Sequence, residues 1–137
     1  LLDNTQNQPE AVLSEETTWY INDMLKNVVT GKFGGATGTG AQLSGMTVAG
    51  KTGTANKVKN GRYTNDTVAS IVGIVPAVNP RFIVAVMIDE PKKGSRFGGR
   101  AAGPVFSEIA ESTLRMLMVS PDRESVSGGG FLAKIRN

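Results

Sequence analysis

Apolar residues recur at helical spacing early in the chain: Ile21, Leu25 and Val28 fall at i, i+4 and i+7, with Trp19 and Val29 widening the stripe. A stripe of that width predicts an amphipathic helix with one face packed on a core. Ser14 ahead of Glu15, Glu16 and Thr17 reads as an N-cap with acidic residues suited to the helix dipole, and Gly31 is a natural stop. The helix is therefore expected from about Glu15 to Thr30. Four glycines between Gly34 and Gly40 then make a loop able to pass close to other backbone.

From Thr47 the period changes. Thr47 to Val58 is β-prone, Asn60-Gly61 is a strong short-hairpin signal, and Arg62 to Val75 returns with Tyr63, Val68, Ile71, Val72 and Ile74. This predicts a long antiparallel hairpin. After a turn at Pro76 to Pro80, the run Phe82 to Ile88 is apolar at every position, as expected of a strand covered on both faces, so helices should flank the sheet. Gly103-Pro104 can open a last helix, with Phe106, Ile109, Ala110, Thr113, Leu114 and Leu117 at helical spacing until Ser120-Pro121 ends it. The expected order is helix, strand, strand, strand, helix, an α+β fold with an antiparallel sheet.

Composition narrows the chemistry. The 137 residues, 39% apolar and 20% charged, suit one domain or less. A net charge of +3, scattered along the chain, gives no nucleic-acid tract and no polybasic membrane patch. With no Cys and no His, thiol nucleophiles, zinc clusters, disulfides and a histidine base are excluded, leaving Lys, Ser, Thr and carboxylates for any catalysis. No run approaches the length of a membrane span, and Leu1-Leu2-Asp3-Asn4 lacks the regions of a signal peptide. The abrupt polar start without Met is expected of a piece of a longer polypeptide. Residues 1–122 are expected to be the structured part, with 123–137, including Ser125 to Gly130, a flexible tail.

Two patterns compete for the candidate site. Gly45 to Thr52 (G-M-T-V-A-G-K-T) matches a phosphate-binding P-loop, and Asp89-Glu90 after an apolar strand could serve a magnesium ion, which together make a P-loop NTPase the alternative reading. A P-loop needs a helix starting at its Lys, so that backbone amides converge on phosphates. Gly53, Thr54, Asn56 and Asn60-Gly61 disfavour that helix, and helical geometry beyond Lys51 would decide for the NTPase. The other pattern is A-G-K-T-G-T-A over Ala49 to Ala55. On a strand, Lys51 and Gly53 point one way while Thr52 and Thr54 point the other. A ligand would then approach along the strand edge, with a carboxylate near Thr52, Thr54 and the Lys51 charge, and close contact allowed by Gly53. A backbone amide near Thr54 could supply half of an oxyanion hole, worth about 3 to 4 kcal/mol in a transition state.

Val48 to Lys57 (V-A-G-K-T-G-T-A-N-K), the Asn60-Gly61-Arg62-Tyr63 turn, Val68 to Pro76, Asn79-Pro80-Arg81, Ile88-Asp89-Glu90-Pro91, Gly98-Gly99 and Gly103-Pro104-Val105-Phe106 together resemble class B penicillin-binding proteins, most closely the division-type peptidoglycan D,D-transpeptidases. The resemblance runs from about Ala11 to Asp122. It implies a partial domain of the α/β/α sandwich shared with β-lactamases, and a serine acyltransferase that attacks a D-alanyl-D-alanine stem peptide, cross-links it, and is acylated by β-lactam antibiotics. It also implies roles: Lys51 in the proton network and in drawing in the carboxylate, Thr52 and Thr54 in binding it, Gly53 in close approach, and the Thr54 amide at the oxyanion. Phe97, in the loop Lys92 to Arg100, stands with Arg96 where many members carry a Tyr pair, and is expected as an apolar wall.

The resemblance further implies that the S-x-x-K nucleophile motif and the S-x-N motif lie upstream, because no Ser here has Lys three later or Asn two later. The chain alone is expected to be inactive and to need the remaining part of the transpeptidase domain as partner. A noncatalytic binding or sensor module of the same fold is a third reading. No cofactor and no metal is called for, Asp89-Glu90 being a strand terminus. The parent protein is expected on the periplasmic face of a bacterial inner membrane, anchored by a segment outside this chain, with divisome proteins as partners and no nucleic acid.

Overall fold

The computed structural model describes residues 10–123. Helix α1 spans Glu15–Thr30, with Ser14 Oγ accepting the Thr17 N–H at 3.2 Å and Gly31 closing it in the left-handed region at φ 71°. Three strands follow, β1 (Ala49–Lys59), β2 (Arg62–Val75) and β3 (Phe82–Asp89), paired antiparallel in the order β1-β2-β3. Asn60 and Gly61 both take positive φ, 52° and 72°, as a two-residue hairpin turn requires. The register shifts once, between Asn56 and Val58. A short helix α2 (Gly98–Ala101) leads into α3 (Gly103–Met116).

Alternation along β2 sorts the sheet into two faces. Thr67, Ala69, Ile71, Gly73 and Val75 are all buried on one face, where α2 and α3 lie. Phe106 of α3 is fully buried there, its ring against Gly73, where an added Cβ would lie 2.6 Å from Cζ. Burying such a ring contributes about 2 to 3 kcal/mol. Val29, Leu43, Met46, Val48, Ile71, Val86, Ala110 and Leu114 complete this core.

The opposite face departs from expectation. Val72, Ile83 and Met87 face outward from the sheet there, Ile83 at 68% and Met87 at 75% exposure. The uniformly apolar β3 is thus covered on one face among the described residues, not on two. The stripe of α1 behaves similarly: only Val29 is buried, Trp19 is 61% exposed, and Ile21 and Leu25 border an open apolar groove of about 410 Å³ with Ile74 and Pro80. Local period fixes which face the apolar residues share; it does not supply the neighbour that covers them.

Two boundaries also differ. The last helix ends at Met116 rather than Ser120, because Met118 adopts φ 51° and the Val119 N–H turns back to the Leu114 carbonyl at 3.0 Å. The end of the expected loop Lys92 to Arg100 instead forms a helical turn, Gly98–Ala101. Of the expected tail, Arg123 is tied by its N–H to the Gly45 carbonyl at 3.1 Å, and the rest lies outside the described residues.

Candidate active site

Backbone beyond Lys51 is extended through Lys59, with no helix at the lysine. The NTPase reading is overturned on that geometry, since the amides of a strand diverge where a phosphate needs them to converge. Asp89 and Glu90 are instead ion-paired. Lys57 Nζ lies 2.7 Å from Asp89 and 3.0 Å from Glu90, and Lys92 Nζ lies 3.0 Å from Glu90. Hydrogen bonds from Lys92 and then Lys57 pull the Glu90 carboxyl down to about 2. Lys57 is pushed up, chiefly by Asp89 and then Glu90, and Lys92 chiefly by Glu90. Lys59 and Asp66 form a further pair, Asp66 being lowered mainly by that hydrogen bond. This network ties the end of the hairpin to the loop that follows β3.

β1 has β2 on one side only, so its other edge is unpaired among the strands. Lys51 pairs with Val72 and Gly53 with Ser70, on the open face; Thr52 pairs with Ile71 and Thr54 with Ala69, on the face of α2. The expected alternation holds. Thr52 and Thr54 line a pocket of about 350 Å³ with Thr37, Thr39, Phe97 and Arg100, floored by Gly98 and Gly99. Thr37 Oγ1 and Thr52 Oγ1 share a hydrogen bond at 2.8 Å, and the Gly98 N–H donates to Thr54 Oγ1 at 3.0 Å.

Glycines make this closeness possible. An added Cβ on Gly98 would sit 2.2 Å from the Gly53 carbonyl oxygen and 2.4 Å from that of Ser70, and one on Gly99 only 1.7 Å from the Thr37 carbonyl oxygen. Gly53 itself faces a neighbour: its Cβ would meet Ser70 Oγ at 2.6 Å. Its missing side chain therefore serves packing within the sheet, which the reading of close ligand approach had not included.

The sequence-derived residues are only partly brought together. Thr52, Thr54 and Phe97 share the pocket, and the Arg96 guanidinium lies 5.5 Å from the centre of the Phe97 ring. Lys51 does not line it; its Nζ donates to the Thr52 carbonyl at 2.8 Å. Thr37, Thr39 and Arg100 were not singled out from sequence. The signal for the first two was the glycine-rich loop, whose need for close backbone approach is met here; Arg100 gave only its place after two glycines.

Comparison with known proteins agrees with this geometry. A family model described as the penicillin binding protein transpeptidase domain matches residues 3–111. A probable peptidoglycan D,D-transpeptidase PenA of Neisseria flavescens is 42% identical over 113 residues, 82% of this chain and 28% of that protein's length. The chain thus spans less than a third of that curated relative. Among solved structures, the transpeptidase domain of Burkholderia pseudomallei penicillin-binding protein 3 superposes with a TM-score of 0.75 at 40% identity, covering 88% of this chain and 37% of that one. Penicillin-binding protein 3 of Mycobacterium tuberculosis, solved with ampicillin, gives a TM-score of 0.71 at 29% identity, covering 85% of this chain and 28% of that one.

Proposed function

The chain belongs to the penicillin binding protein transpeptidase domain family, and from that premise we propose that it is the C-terminal portion of a serine D,D-transpeptidase domain. One observation carries the reading: the K-T-G-T segment is extended edge strand, with Thr52 and Thr54 turned into a pocket walled by Phe97. The acyl donor is a stem peptide ending in D-alanyl-D-alanine, and β-lactams occupy the same place; the mycobacterial relative was solved in complex with ampicillin. Thr52 and Thr54 bind the carboxylate, the Thr54 amide helps hold the oxyanion, and Phe97 walls the substrate. Lys51, on the open face of the sheet, serves the proton network of a nucleophile that other polypeptide brings.

Residues 1–122 are this portion of the domain, and S-x-x-K and S-x-N stand on polypeptide before it. That polypeptide covers the exposed face of Val72, Ile83 and Met87. The working location is the periplasmic side of the cell envelope, with division proteins as partners. The test is labelling by a fluorescent penicillin. This chain alone remains unlabelled, and the protein containing both this segment and the two serine motifs becomes labelled at the S-x-x-K serine. Labelling of the chain alone, or none of the longer protein, contradicts the reading.

A further inference from the structure

The pocket beside the K-T-G-T strand is lined by a cationic residue that the motif does not include. Thr54 Oγ1 already accepts the Gly98 N–H, so its own proton is left to donate. In the Thr37–Thr52 pair one hydroxyl proton bridges the two oxygens, which leaves the other for a ligand. Arg100 lines the same pocket and is exposed, and among the described residues no acidic one lines it. Spare hydroxyl donors, a guanidinium and no carboxylate make a complement for an anion. Lys51 is absent from this lining, its ammonium engaged by the Thr52 carbonyl.

Resting on the transpeptidase reading above, we propose that Arg100 is the cation that binds the free carboxylate of the acyl donor, with the hydroxyls of Thr52 and Thr54. Arg100 is then a specificity-determining residue: it selects a donor with an ionised terminus, and Lys51 is left to the proton network. Guanidinium suits the task, since its planar fork can hold both oxygens of one carboxylate.

The experiment uses the full-length protein that carries this segment, as wild type, Arg100→Ala and Arg100→Lys. Second-order acylation rates are measured with a penicillin and with the methyl ester of the same penicillin, which lacks the ionised carboxylate. Arg100→Ala slows the free acid roughly tenfold, the scale of losing one charged hydrogen bond, and leaves the slower ester reaction unchanged. Arg100→Lys recovers part of the loss. Equal slowing of both compounds, or slowing of neither, overturns the assignment to Arg100. If the wild type is acylated by neither compound, the transpeptidase reading itself fails, a result separate from the other two.

Discussion

The backbone N–H of Gly98 donates to Thr54 Oγ1 at 3.0 Å, joining a residue after the last strand to one on the first. That bond takes one lone pair of Oγ1 and leaves the Thr54 hydroxyl proton free to donate to whatever fills the pocket. Thr54→Val removes the acceptor and the donor together. Acylation by a penicillin in the intact domain is expected to fall roughly ten- to a hundredfold, with Thr54→Ser retaining most of the rate. A valine variant as fast as wild type would remove Thr54 from the site.

Gly98→Ala tests the packing behind that contact. The new methyl would overlap two backbone oxygens, of Gly53 and Ser70, neither of which can rotate away. Overpacking of this kind costs about 1 to 3 kcal/mol, and α2 must shift from the strand. Denaturant unfolding of the intact domain measures the loss. A midpoint equal to wild type would mean that this approach is looser than described.

Acid sensitivity follows from Glu90. Its carboxyl is held at about 2 by Lys92 and Lys57, below its ordinary 4.5, so the folded form binds its proton less readily than the unfolded one. The stabilisation is therefore present above pH 4.5 and is lost as pH falls towards 2. Glu90→Gln should show a smaller drop in melting temperature between pH 6 and pH 3 than wild type. Identical drops would assign the acid sensitivity to other carboxylates.

Asp122 anchors the end of the described chain to the entrance of β1. Its carboxylate accepts the Thr47 N–H at 2.6 Å and the Thr47 hydroxyl, while Thr47 Oγ1 in turn accepts the Ala77 N–H at 2.9 Å. Asp122→Ala leaves the Thr47 N–H without its partner in a residue only 8% exposed. The expected cost is about 1 to 3 kcal/mol in chemical denaturation. Asp122→Asn, which keeps an acceptor oxygen, should recover part of it.

Much of this is legible in the sequence. Ser14 and Gly31 bounded α1, because a hydroxyl cap and a residue free to take positive φ are local requirements. Asn60-Gly61 set the hairpin for the same reason. Period two on K-T-G-T placed Lys51 and Thr52 on opposite faces. What failed locally was the extent of cover: the apolar pattern of β3 and of the α1 stripe announces burial but is silent about which polypeptide provides it. Met118 likewise ended α3 early through a left-handed backbone that no proline or glycine announced.

The sequence by itself therefore determined the type and order of the main elements, the extended state of the lysine-threonine segment and the family, since these rest on short-range stereochemistry and on motifs read in line. Tertiary structure decided the membership of the pocket. Thr37, Thr52 and Arg100 meet there although fifteen and forty-eight residues of sequence number separate the neighbouring pairs. Only the folding of a glycine loop and a helical turn against one strand edge could put Arg100, rather than Lys51, in the lining of that pocket.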